Sequence, residues 1–287
     1  MFRVNKHDEY SEACFERDDK PENRDLCISV DFNALPSEYG KGLIRIVMDG
    51  MSNGDGKEAV ELAAPVLYQH LVGRMMTIGW ELALYIEQCV QEHCEEEVML
   101  EHLRDVIGKV IFDGLDQANR ALRQSSKPEP YCTISVAVVF YRHIYTANMG
   151  DSPIYLLDCR ASEGELEPLF VCDNEAAELI SFGALTEEEA LHTEYQSRVR
   201  RFLGYKGYDL LENGEMHFRV TPLPRSCVLM LGSDGALSQL TRQSMAQAIR
   251  DNLPRGLDNV REALQNMVEE SGSVDDFTLL MDRIDLD

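Results

Sequence analysis

The sequence predicts an α+β fold, two antiparallel β-sheets packed as a sandwich with helices on the outer faces. Three observations lead there. Short β-branched or apolar runs bounded by turn residues lie on both sides of one block, residues 56–124, that is almost wholly helix-compatible. Successive strand signals are joined by very short turns, Arg142-His143 and Gly150-Asp151-Ser152, which favours antiparallel hairpins over crossovers. No fixed-period repeat and no Gly/Ser- or Pro-rich linker divides the chain, so residues 1–287 are expected to form one domain.

In chain order, strands are expected at 26–32 and 43–48, before the helical block. Leu62, Val66, Leu67 and Leu71 then recur at helical spacing, with Pro65 near the first helix's start. Residues 98–122 repeat the pattern with Val106, Ile107, Val110, Ile111 and Leu115, giving two long helices whose apolar stripes face a core. Strands return at 133–141, 144–148, 154–157, 169–172, 217–220 and 227–231. Helices at 242–251 and 257–270 and a strand at 277–281 complete the layout.

Composition narrows the function classes. With 44% hydrophobic and 27% charged residues the chain can bury a sizeable core. The stretch MFRVNKHDEYSEACFERDD carries no apolar run behind its basic residues, which argues against a secretory signal. No apolar run approaches the roughly 18 residues of a membrane span. A soluble, cytoplasmic protein is expected. None of the eight cysteines forms a C-x-x-C pair, and Cys27 and Cys132 fall inside strand-like runs, so reduced structural thiols are expected. A net charge of −24 repels nucleic acid and anionic lipid, and neither is expected as a partner.

Four places share one grammar, an apolar strand meeting an Asp, usually with Gly beside it. They are Met48-Asp49-Gly50, Met149-Gly150-Asp151-Ser152, Gly232-Ser233-Asp234-Gly235 and Val274-Asp275-Asp276-Phe277, the last opening a strand instead of closing one. A single Asp-Gly after a strand is usually a turn. Four such carboxylates on strand ends can converge at one rigid edge of a sandwich, and a cluster of oxygens suits Mg²⁺ or Mn²⁺. A calcium EF-hand is excluded, because Met51 and Val60 occupy its third and twelfth ligand positions. The seven histidines show no metal-ligand spacing, and His70, His93 and His102 lie on expected helices.

The ordered set of motifs resembles the PPM class of metal-dependent serine/threonine phosphatases, the protein phosphatase 2C family, especially its bacterial members. Lys20-Pro21-Glu22-Asn23-Arg24-Asp25 stands where that family has a basic residue, a polar stretch and an Asp before its first strand. Asp49-Gly50-Met51 and Gly150-Asp151-Ser152 match its loop and hairpin motifs. Phe182-Gly183-Ala184-Leu185-Thr186-Glu187-Glu188-Glu189-Ala190 is similar to its flap, and Arg198-Val199-Arg200-Arg201-Phe202-Leu203-Gly204 continues the match. Ser233-Asp234-Gly235 and Asp275-Asp276-Phe277-Thr278 close the series, so the resemblance runs over about residues 18–284.

That resemblance implies a phosphatase-like domain with a flap subdomain at about 173–222. It implies that Asp49, Asp234 and Asp275 hold two divalent metals, Mg²⁺ or Mn²⁺, with the Gly50 carbonyl as a further ligand. Asp151 would join Asp234 at a third, weaker position. Asp25 would orient the attacking water and Lys20 would contact the substrate phosphate. The partners implied are phosphorylated proteins, a kinase or its targets among them. The chemistry fits independently, since phosphate monoesters need accelerations up to about 10²¹ and two cations roughly 3.5–4 Å apart can activate water and clamp an in-line displacement. Cations would also invert the local field that a chain of charge −24 presents to a phosphate.

Some positions depart from the family. Lys20 replaces its usual Arg, exchanging a two-pronged fork for a point charge. Ser52-Asn53 stand where two glycines are usual, Cys132 replaces a Gly, Asp276 an Asn, and Met51 takes the place of a His found in some relatives. These departures, with a long helical stretch between 74 and 128, motivate the alternative of a pseudophosphatase used as a regulatory or binding module.

Overall fold

The computed structural model describes residues 10–15, 22–32, 42–161, 165–207, 216–273 and 275–286. Lys20 lies outside the described residues. The strands are β1 (Tyr10–Phe15), β2 (Asp25–Phe32), β3 (Gly42–Gly50), β4 (Cys132–Phe140), β5 (His143–Met149), β6 (Ile154–Asp158), β7 (Glu167–Pro168), β8 (His217–Pro222), β9 (Ser226–Gly232) and β10 (Phe277–Asp285). The helices are α1 (Gly56–Leu67), α2 (Gly73–Glu92), α3 (Glu96–Gln124), α4 (Glu175–Ser181), α5 (Glu187–Ala190), α6 (Asp234–Leu237), α7 (Arg242–Asn252) and α8 (Leu257–Glu270).

The strands form two five-stranded sheets, ordered β2-β3-β4-β5-β8 and β1-β10-β9-β6-β7. Every strand pairing is antiparallel. The expected α+β fold of two antiparallel sheets with helices is therefore the observed one. Period-two alternation sorts the side chains of each strand between two cores. On β3, Leu43 and Val47 meet Leu229, Leu231 and Leu280 between the sheets. Ile44, Ile46 and Met48 turn outward onto α1, α2 and α3. The other sheet turns Val228, Met230, Leu279 and Met281 outward onto α6, α7 and α8. Because β3 and β4 are covered on both faces, they read as continuous apolar runs, and all nine residues of β4 are buried.

One charge lies inside the layer between the sheets. Arg45, on β3, is 1% exposed, and its Nε and Nη2 donate to the two Asp282 oxygens on β10 at 2.8 and 2.6 Å. Nη2 also donates to Asp31 at 2.7 Å, Nη1 to the Val30 carbonyl at 3.1 Å, and the guanidinium lies over the Tyr10 ring. This fork fastens β3 of one sheet to β10 of the other.

Five features differ from the sequence expectation. The helical block is three helices, with Pro65 inside the last turns of α1 and not near its start. Its ring removes one backbone donor and crowds the preceding turn, and the chain goes over into a π-helical turn, Tyr68–Val72, before α2. Strand β1 was not expected; among its described side chains the buried ones are Ser11 and Ala13, too small to announce a core face. Residues 169–172 are not a strand, since after the short β7 only the Leu169 amide reaches β6, at the Ile154 carbonyl. The β4–β5 turn is Tyr141-Arg142, both with positive φ as a two-residue primed turn demands. Finally, Gly150-Asp151-Ser152 does not close a hairpin: β5 and β6 belong to different sheets, so the chain crosses the sandwich there. No helix among the described residues is long and apolar enough to cross a membrane.

Candidate metal centre

The crossing at Gly150–Ser152 sets the location of the site, at the edge where the two sheets meet. From the first sheet come Asp25, the opening residue of β2, and Asp49, near the end of β3. They are direct cross-strand partners, and Asp49 is paired on its other side with Thr133 of β4. The loop after β3 is held open by backbone bonds, Gly50 N–H to the Arg24 carbonyl at 3.1 Å and Met51 N–H to the Tyr131 carbonyl at 3.0 Å.

Asp151 follows β5. Gly150 reaches it with φ +114°, and a Cβ there would lie 2.5 Å from Thr133 Cβ. Only glycine meets both demands. The Gly150 amide donates to Asp173 Oδ2 at 3.2 Å, and Asn174 Nδ2 donates to Asp151 Oδ2 at 3.4 Å. Gly150→Ala is accordingly expected to cost about 1–3 kcal/mol of stability and to misplace Asp151; a denaturation midpoint indistinguishable from the parent would contradict the packing described.

From the second sheet come Asp234, first residue of α6, and Asp275, just before β10. Gly235 packs so closely on the β10 approach that a Cβ there would lie 2.9 Å from Asp275 Cβ, which places Asp275 beside Asp234. The approach is fixed by Ser233, whose Oγ accepts the Thr278 amide at 3.1 Å, and by Asp276, whose Oδ2 accepts the Arg24 amide at 3.0 Å. That last bond ties the second sheet to the residue before Asp25.

The electrostatics are those of crowded acids. Burial pushes the Asp25 carboxyl well above the usual carboxylate range, hydrogen bonding from Ser233 and Thr278 opposes this, and the Cys14 and Asp234 charges add to it. Asp49 is raised by burial, then by Asp25, Asp234 and Asp151. Asp151 is raised by burial, then by Asp234. Asp25 Oδ2 is buried without a hydrogen-bond partner. Asp25, Asp49, Asp151 and Asp234 thus sense one another, and they cannot all be ionised at low cost without a cation among them.

As they stand, no three His, Cys, Asp or Glu side chains among the described residues surround a single ion position. The donor set nevertheless fits hard divalent ions: carboxylate oxygens presented on strand ends, one of them unpartnered, with mutual repulsion that a cation relieves. Of the residues picked out by sequence, Asp25, Asp49, Asp151 and Asp234 sense one another's charge, Asp275 packs against Gly235, and Lys20 lies outside the described residues. Sequence reasoning missed Asp173 and Asn174, which brace Asp151. The signal was available, an apolar run ending in Asp-Asn, but no glycine marked it.

No family model and no curated protein matches the sequence. Solved structures do match. The serine/threonine phosphatase Stp1 from Staphylococcus aureus is 16% identical, with a TM-score of 0.69 over 99% of this chain and 98% of that one. The S. agalactiae serine/threonine phosphatase is 20% identical, with a TM-score of 0.68 over 96% and 99%. The catalytic domain of the serine/threonine phosphatase PstP, in complex with two manganese ions, is 18% identical, with a TM-score of 0.61 over 96% and 98%. Helices, two five-stranded antiparallel sheets and their near-complete superposition on these structures give the chain the fold of the bacterial PPM-type serine/threonine phosphatases.

Proposed function

We propose that the protein hydrolyses phosphoserine and phosphothreonine in proteins, using divalent metal held by the aspartates at the sandwich edge. The observation that carries this reading is the convergence of Asp25, Asp49, Asp151 and Asp234, from four different elements of both sheets, into one mutually repelling set. A fold does not need such a set, and pays for it in stability. The fold shared with serine/threonine phosphatases, one of them a manganese complex, supports the same chemistry.

In this reading Asp49, Asp234, Asp275 and the Gly50 carbonyl hold two ions, Mg²⁺ or Mn²⁺, and Asp151 with Asp234 offers a third position. When bound, the ions supply positive charge that polarises the phosphate and makes water a competent nucleophile near neutral pH. Asp25 orients the attacking water through its unpartnered Oδ2. Lys20 contacts the substrate phosphate. Asp173 and Asn174 keep Asp151 aimed inward.

Of the expected flap at 173–222, the described residues 173–207 act as the flap of a single phosphatase domain, while β8 at its end is a strand of the first sheet. The flap's described part is stitched to the body by the paired Cys132 and Leu203 backbones, and the Arg200 amide on the Asp173 carbonyl at 2.7 Å closes it on itself. It is also latched to α7, where Glu187 accepts from the Arg242 amide at 3.0 Å and from its guanidinium. A phosphorylated segment would meet the site beside this flap.

The test is phosphate release from a phosphothreonine peptide with Mn²⁺ or Mg²⁺, then with EDTA, beside thermal unfolding in the same buffers. Release that EDTA abolishes, with a metal-dependent rise in melting temperature, is expected. A melting rise without release in either metal would favour the pseudophosphatase, a regulatory module that keeps its ions. Neither effect would end the metal assignment.

A further inference from the structure

Helix α2 is apolar on two faces, and the fold uses one of them. Met75, Ile78, Leu82 and Ile86 are buried in the core beneath the helices. A surface helix needs a single such stripe. Yet Tyr68, Met76, Trp80 and Leu84, four or eight residues apart, are 53, 52, 62 and 49% exposed. That spacing aligns them along one side of the continuous helical run formed by the π-helical turn and α2. Together they leave on the order of 400 Å² of apolar surface in water, a contiguous patch of the size that marks an interaction site.

Two further observations lie along the same stripe. Gly73 is helical, with φ −60° and ψ −38°, and a Cβ built on it would meet nothing nearer than the Tyr68 carbonyl oxygen at 3.6 Å. Packing within the chain therefore does not call for glycine there, although glycine inside a helix is destabilising relative to alanine. Arg74 and Glu81 lie two turns apart on the flank of the stripe and are both exposed. Neither belongs to an ion pair among the described residues.

We propose that this stripe is a homodimer interface, α2 packing antiparallel against α2 of a second copy about a two-fold axis near residue 78. A two-fold interface must complement itself, residue i facing j and j facing i. With the axis there, Met76 faces Trp80 of the second copy, Leu84 lies over its Gly73, and Arg74 stands beside its Glu81. Each contact occurs twice. Thioether against indole is favourable beyond the area it covers, and the missing side chain at Gly73 receives the leucine.

Charge selects both the occupant and the orientation. Helix α2 has one basic residue, Arg74, and three acids, Glu81, Glu87 and Glu92. A parallel pair would set each acid against its own copy, in a chain that already carries −24. The antiparallel pair instead holds the two Glu92 side chains roughly 40 Å apart, at 1.5 Å of rise per residue, several times the Debye length of about 8 Å at physiological salt. A basic helix from another protein would suit the acids but would meet Arg74 with like charge. A second copy satisfies both signs.

The test is sedimentation equilibrium of the full chain from about 1 to 100 μM, a range that brackets a micromolar interface. Trp80 is the single tryptophan, so its emission reports the same equilibrium. A dimer is expected at the upper concentrations, with emission moving to longer wavelength on dilution. Trp80→Glu should raise the dissociation constant at least about 100-fold, as expected for a central aromatic anchor. Arg74→Glu and Glu81→Arg should each weaken the dimer about tenfold, and the two together should restore it, because the pair is then only reversed. These exposed charge changes keep the test decisive should Trp80→Glu fail to fold. A parent that stays monomeric overturns the proposal and assigns the stripe to a protein of another sequence. A dimer indifferent to Trp80→Glu, or a double reversal no tighter than its parts, refutes the interface. Dimerisation does not depend on whether the centre hydrolyses phosphate, so sedimentation and phosphate release are independent readouts.

Discussion

Asp234→Asn is expected to lower metal-dependent phosphate release by at least about 10²–10³-fold while leaving the protein folded. Asp234 is the residue whose charge reaches Asp25, Asp49 and Asp151 alike, so it is the common member of the set. The amide keeps the side-chain volume but removes the charge that would hold ions together. The substitution should also raise the melting temperature of the metal-free protein, because one source of repulsion among buried carboxylates is gone. The parent should gain more than the variant from added Mn²⁺, so the two melting curves converge when metal is present. An unaltered rate would remove Asp234 from the centre. A lower metal-free melting temperature would show that the carboxylate is held by contacts more favourable than the repulsion argued for it.

Arg45→Ala carries the largest expected loss of stability, about 3–5 kcal/mol in urea unfolding. Deleting the guanidinium leaves Asp282, 3% exposed, between the sheets with its two strongest donors gone. It also strips Asp31 and the Val30 carbonyl of a donor. Most of that cost is the stranded carboxylate, so the double change Arg45→Met with Asp282→Leu should recover much of it. A single substitution costing less than about 1 kcal/mol would mean that water enters the layer and that the fork contributes little.

The strands β3, β4 and β9 were legible because burial on both faces writes a mostly apolar run. β1 was not, since Tyr10–Phe15 is a strand by virtue of β10, which pairs with it residue by residue from Tyr10 and Asp282 to Phe15 and Phe277. The apolar run at 169–172 misled for the opposite reason. Leu169 is buried in the layer between the sheets, but packing alone does not supply a strand partner. The Gly150-Asp151-Ser152 turn had hairpin length, and length says nothing about which sheet receives the next strand. The aspartates were readable because strand ends and glycines mark them. Asp173 and Asn174 depend on contacts between segments apart in sequence, and no local spacing records those.

Strand β10 has a consequence for biosynthesis. It sits between β1 and β9 and follows directly on Asp275, and Thr278 touches Cys14 across 264 residues of chain. At roughly 5–20 residues per second, a ribosome needs about 15–60 s to make a chain of this length. Throughout that time β1 has no partner and the carboxylate cluster lacks one side. The nascent protein therefore exposes an unpaired edge and no competent centre until the strand that completes the sheet has left the exit tunnel. In the proposed reading no hydrolysis begins on the ribosome, and the β1 segment is the edge left unpaired longest.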